Sequence, residues 1–111
     1  MSSTLETINQ QIADNPVIIY MKGVPENPEC GFSAKAVAAL KATGVPFAYV
    51  NVLMSPFIRE KLPHVSKWPT FPQIFVGGEL VGGADIVEDM AKSGTLKPLV
   101  DAAAANASTS E

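Results

Sequence analysis

The sequence has little cysteine, histidine or charge, and each shortage narrows what the protein can be. Its 111 residues include one Cys and one His. A single cysteine excludes an internal disulfide and suits a reducing cytosol, so a cytoplasmic location is expected. No apolar run approaches the ~20 residues needed to cross a bilayer, so no membrane partner is expected. Met1 to Tyr20 lacks the basic segment, apolar stretch and small-residue cleavage site of a secretory signal. Charged residues make up 17% and the formal net charge is −3, a balance unsuited to holding a phosphate backbone. Nucleic acid is therefore not expected as a partner. Internal repeats and interior low-complexity linkers are absent. His64 has no acid or cysteine near it in sequence and is assigned no role.

What remains is rich in apolar residues, at 47%. That share builds a core, and the length is that of one domain. The domain is expected over 1–105, with a loose polar tail at 106–111. Leu5, Ile8 and Ile12 fall on one face of a first helix, capped by Thr4 and ended by Asn15-Pro16. Val17–Met21 is β-branched and almost wholly apolar, the pattern of a strand buried on both faces. A loop with two prolines follows, from Gly23 to Glu29. A helix over Gly31–Thr43 stops at Gly44, and a second strand spans Phe47–Val52. Strand, helix and strand in that order imply a parallel pair. A short polar helix is expected around Pro56–Leu62. Gln73–Val76, Gly77-Gly78 and Glu79–Val81 then form a hairpin, paired glycines supplying the positive φ of its turn. Two helices, Asp85–Lys92 and Leu96–Ala103, close the chain. This order predicts an α/β fold of the thioredoxin-like type, a mixed four-stranded sheet with helices on both faces.

Cys30 stands where the loop after the first strand meets a helix. Free N–H groups and the helix dipole there favour an anion and lower a thiol pKa below its reference of about 8.5. A free cysteine is more commonly a small buried hydrophobe. The polar loop Pro25-Glu26-Asn27-Pro28-Glu29 before it argues for the surface instead. Phe71-Pro72 precedes the third strand, where a proline cannot donate to a ladder and often marks a cis turn. In a thioredoxin-like fold that turn faces the thiol. Gly82-Gly83-Ala84-Asp85 opens a helix whose N–H groups suit a carboxylate, although Asp85 serves equally as a simple N-cap. Lys22 and Arg59 are the notable bases, and a solvated surface charge is the default for either. Trp68 is read as packing.

Together these pieces resemble a known family. Lys22 through Ser33, ending in Cys30-Gly31-Phe32-Ser33, is similar to the signature of the single-domain monothiol glutaredoxins. Trp68-Pro69-Thr70-Phe71-Pro72-Gln73 and Gly82-Gly83-Ala84-Asp85 resemble the family's other two motifs, in the same order. The resemblance implies a glutathione site. Lys22 and Arg59 would hold the glycyl carboxylate, and the Phe71 backbone beside cis Pro72 would align the cysteinyl part. The Ala84 and Asp85 amides would take the γ-glutamyl carboxylate, with the Asp85 side chain on its ammonium.

The resemblance also implies a [2Fe-2S] cluster with Cys30 as its ligand, bridged between two subunits. Four thiolates are usual for such a cluster, so two copies of Cys30 plus two glutathione thiols would form a homodimer. A BolA-like protein is a further implied partner, and iron–sulfur acceptor proteins would receive the cluster. Some relatives carry a second cysteine where Ala84 stands; this chain cannot form that disulfide, while glutathionylation of Cys30 stays open. The competing expectation is an enzyme, a glutathione-dependent thiol–disulfide oxidoreductase. Ser33 occupies the place of a resolving cysteine and a hydroxyl cannot resolve a disulfide, so only a one-cysteine route is left. The carrier is the favoured reading.

Overall fold

The computed structural model describes residues 3–109, with side chains through Asn106. In chain order the elements are α1 (Thr4–Asp14), β1 (Val17–Met21), β2 (Gly23–Val24), β3 (Asn27–Pro28), α2 (Gly31–Ala42) and β4 (Ala48–Asn51). A 3-10 turn (Val52–Met54) leads to α3 (Pro56–Ser66), β5 (Gln73–Val76), β6 (Glu79–Gly82), α4 (Ala84–Ser93) and α5 (Leu96–Thr109).

The main sheet has the order β4-β1-β5-β6. β1 runs parallel to β4 and antiparallel to β5, and β5 pairs antiparallel with β6. All five residues of β1 are buried, because this central strand is covered on both faces. Val17, Ile19 and Met21 point into a layer with Ala36, Leu40, Val87 and Val100 from α2, α4 and α5. Ile18 and Tyr20 point the other way, against Ile8, Ile58 and Leu62 from α1 and α3. This alternation is the period of a strand. Each fully buried Ile or Leu contributes about 1.5–3 kcal/mol, so the two layers hold the sheet from both sides.

Several local expectations change. The α1 cap is Ser3, which accepts from the Glu6 N–H while the Glu6 carboxylate accepts from the Ser3 N–H. That reciprocal capping box satisfies two otherwise orphaned donors, and Thr4 is already helical. Ile8 is buried as expected, whereas Leu5 is 39% exposed. The second strand stops at Asn51, whose side chain accepts from the Leu53 N–H and turns the chain into the 3-10 segment.

The expected loop at 23–29 is a two-strand ribbon, with Gly23 opposite Pro28 and Val24 opposite Asn27. α3 does not end at Leu62. It continues through Pro63 to Ser66, where Lys67 adopts a left-handed conformation. An interior proline removes one helical N–H, but Ile58 and Leu62 are buried in the core and hold this helix in place. α4 is capped by Gly83 rather than by Asp85. α5 passes the expected end at Ala103 and stays helical to Thr109, because the run Ala102–Ala105 has the highest helix propensity available. The part of the expected loose tail at 106–109 is therefore helical, and 110–111 lie outside the described residues.

Candidate functional site

Cys30 is the N-cap of α2, in extended conformation, and its carbonyl accepts the first helical bond from Ala34 N–H at 2.9 Å. A cap side chain normally accepts from the second or third N–H of its helix. The Cys30 side chain closes no such cap bond, so the first N–H groups of α2 stay open beside the sulfur. The Ser33 backbone N–H is the largest influence holding the thiol below its ordinary pKa, followed by the Phe32 N–H, the Ser33 hydroxyl and the Lys22 ammonium. Desolvation opposes them. Cys30 is half-buried and remains a free thiol.

The thiol opens onto a cleft of about 620 Å³. All seven residues singled out in the sequence line it: Cys30, Lys22, Arg59, Phe71, Pro72, Ala84 and Asp85. They come from the end of β1, the start of α2, α3, the turn before β5 and the start of α4. The Phe71–Pro72 peptide bond is cis. The Phe71 side chain packs against the α1/α3 layer of the core, and the residue lines the cleft. No turn, loop or cap hydrogen bond among the described residues engages the Phe71 backbone.

Opposite it, α4 begins without a side-chain cap, and Ala84 and Asp85 are its first two residues. Gly83 allows this close approach: a Cβ there would lie 3.3 Å from both the Pro72 carbonyl oxygen and Trp68 Nε1. The only ion pairs among the described residues are Glu88–Lys92 and Lys97–Asp101. Lys22 and Arg59 therefore bring uncompensated positive charge to one side of the cleft. Unsatisfied helix N–H groups stand at the α4 start. Such a cleft is suited to an extended ligand with two anionic ends.

Three residues gained roles that the sequence reading missed. Trp68 lines the cleft, and its buried indole N–H has no partner. Gln73 is fully buried in β5, and its Nε2 donates to the Trp68 and Thr70 carbonyls at 2.9 and 3.3 Å. That bridge shapes the turn that presents Phe71. A polar residue opening an otherwise apolar buried strand was the available signal. Ser33 is also fully buried, and its Oγ accepts from the Lys22 N–H at 3.1 Å. His64 sits exposed in the last turn of α3, away from the cleft lining.

Comparison with known proteins agrees with this arrangement. The glutaredoxin family profile matches residues 17–81. Glutaredoxin 4 of Escherichia coli (strain K12) is 54% identical over 111 residues, covering 100% of this chain and 96% of the relative. Glutaredoxin 4 of Pasteurella multocida is 55% identical over 97 residues, or 87% and 89% of the two chains. The solution structure of reduced poplar apo GrxS14 superposes with a TM-score of 0.80 at 38% identity, covering 93% of this chain and 94% of that one. The crystal structure of a buckwheat glutaredoxin–glutathione complex gives a TM-score of 0.80 at 22% identity, over 92% and 91%, a likeness of fold alone. The sheet order and the helices on both faces are thus the thioredoxin-like arrangement expected. With a matching profile, full-length relatives and a lone cysteine at the head of α2, the chain belongs to the glutaredoxin family as a monothiol glutaredoxin.

Proposed function

We propose that this protein binds glutathione in the cleft and, with a second copy, carries a [2Fe-2S] cluster for delivery to iron–sulfur acceptor proteins. The observation that carries this reading is one accessible, acidified thiol flanked by unpaired cations and an open helix start, with no second thiol in the chain. Lys22 and Arg59 receive the glycyl carboxylate, and the Phe71 backbone beside Pro72 aligns the cysteinyl portion. The Ala84 and Asp85 N–H groups take the γ-glutamyl carboxylate, and the Asp85 carboxylate takes its ammonium.

The cluster is cargo, and the chain by itself has too few ligands for it. No group of three or more His, Cys, Asp or Glu among the described residues could hold a metal. A [2Fe-2S] cluster usually takes four thiolates. Two Cys30 thiolates and two glutathione thiolates supply four, which makes the carrier a glutathione-dependent homodimer. A BolA-like protein replacing one copy is the heteromeric form of the same assembly.

The lowered thiol pKa also favours a second reading, glutathione-dependent reduction. The Cys30 thiolate would attack the glutathionyl sulfur of a mixed disulfide and expel the substrate thiolate. A free glutathione thiolate would then attack the Cys30–glutathione disulfide, releasing Cys30 and glutathione disulfide. Ser33 cannot take that second step, so the route depends wholly on free glutathione.

Anaerobic reconstitution with ferrous iron, sulfide and glutathione, read by visible absorption and size-exclusion chromatography, separates the two. The carrier forms a brown dimer that bleaches and falls to monomer when glutathione is removed, and Cys30→Ser stays colourless. A brown Cys30→Ser sample rejects Cys30 as ligand. A colourless wild-type monomer that reduces a glutathione mixed disulfide transfers the assignment to the oxidoreductase.

A further inference from the structure

The ribbon of β2 and β3 has two residues per strand, far too short to persist alone, since even longer isolated hairpins are marginal in water. It nonetheless lies directly between Lys22 and Cys30. Its anchors are therefore specific bonds. The Lys22 N–H donates to Ser33 Oγ at 3.1 Å, and the Lys22 carbonyl accepts from the Glu29 N–H at 2.9 Å. The Gly23 N–H donates to Asn51 Oδ1 at 3.0 Å, a bond between residues 28 apart in sequence. The Lys41 ammonium reaches the Pro25 carbonyl at 3.4 Å.

Asn51 differs from the other anchors because its one oxygen accepts twice. The Leu53 N–H donates to the same Oδ1, also at 3.0 Å. Capping the 3-10 turn requires only that local bond. The second bond spends the remaining acceptor capacity of the carbonyl on the ribbon. Two N–H donors converging on one atom also identify it as the oxygen, since an amide nitrogen could accept from neither. Asn51 does not line the cleft, so whatever it does for a ligand it does through Gly23 and the adjoining Lys22.

We propose that Asn51 is a positioning residue of the site: by gripping the Gly23 N–H it holds the ribbon and sets Lys22 where the ligand carboxylate is received. This rests on the glutathione reading above, because glutathione is the ligand whose carboxylate Lys22 meets.

Two substitutions separate the roles of the side chain. Asn51→Ser keeps a hydroxyl able to cap Leu53 but is too short to reach Gly23. Asn51→Asp keeps an acceptor oxygen for both N–H groups. The measurements are calorimetric titration with reduced glutathione and amide hydrogen exchange at Gly23. Asn51→Ser is expected to weaken glutathione binding about three- to tenfold, the range of one lost hydrogen bond, and to speed Gly23 exchange. Asn51→Asp is expected to keep Gly23 protected and to recover most of the affinity. In a Lys22→Ala background, Asn51→Ser should add almost no further loss, since its effect passes through Lys22. Equal losses in both backgrounds, or unchanged Gly23 exchange in Asn51→Ser, overturn the proposal. Should the wild type take up no glutathione, the glutathione reading falls. The ribbon anchor is then decided by Gly23 exchange alone, which must quicken in Asn51→Ser.

Discussion

Gly23→Ala tests the ribbon from its most crowded atom. Gly23 has φ +94°, and an added Cβ would lie 2.6 Å from the Glu29 nitrogen and 2.7 Å from the Asn27 carbonyl oxygen. Carbon contacts are comfortable at about 3.5 Å, so β2 and β3 must part by nearly an ångström. Both clashing atoms are backbone, so no rotamer change relieves them. The bond from Glu29 N–H to the Lys22 carbonyl, at 2.9 Å, would stretch past the ~3.2 Å limit for such bonds. Losing it costs about 0.5–1.5 kcal/mol, and forcing a Cβ to positive φ costs about 1–2 kcal/mol. The sum, about 1.5–3.5 kcal/mol, lowers the melting temperature by roughly 10 °C in a domain of this size. Gly31→Ala is the control. No atom lies within 4 Å of its added Cβ and its φ is ordinary, so it should gain roughly 0.4–1 kcal/mol through a less flexible unfolded chain. Thermal unfolding by circular dichroism reads both. If Gly23→Ala melts within about 2 °C of wild type, β2 and β3 do not form a closed ribbon.

Two further outcomes follow from the thiol and the core. Cys30 alkylation by iodoacetamide across pH should have its midpoint below the ~8.5 of a free cysteine. Ser33→Ala should raise it only in part, because the Ser33 backbone N–H, the largest cause, survives that change. The sign for stability is fixed by the same lowering: the folded thiolate adds stability above the unfolded thiol pKa, and that gain disappears as pH falls through the folded value. A wild-type midpoint at or above 8.5 would reject the lowered pKa. Tyr20→Phe removes the hydroxyl that donates to Gln11 Oε1 at 2.9 Å and keeps the edge-to-face contact with Phe75 at 5.7 Å and 81°. Urea unfolding should show a loss of about 0.5–1.5 kcal/mol, and no loss would mean that this bond does not help hold α1 to β1.

Local chemistry alone determined most of the fold. Val17–Met21 is a buried strand because it is apolar at every position, and that pattern requires no knowledge of what covers it. The hairpin at Gly77-Gly78, the reactive place of Cys30 after a polar loop, and the turn at Phe71-Pro72 were legible for the same reason. Each signal lies within a few residues of the feature it specifies. Where a local signal was weak or missed, as with the Ser3–Glu6 capping box, the boundary moved by a residue. Where packing overrode a local rule, as with Ile58 and Leu62 carrying α3 through Pro63, the error was larger.

The site was decided by tertiary structure. Lys22, Arg59, Phe71 and Asp85 are far apart in sequence and meet only because β1, β5 and α4 pack around one cleft. Whether Cys30 would be raised or lowered depended on how far burial opposes the N–H groups of Phe32 and Ser33, and burial exists only in the folded chain. The same holds for the grip of Asn51 on Gly23 and of Gln73 on the Trp68–Thr70 turn. A side chain that bonds a distant backbone group leaves no periodic or compositional trace, because a hydrogen bond needs its partners within about 3 Å and only the packed sheet brings them there.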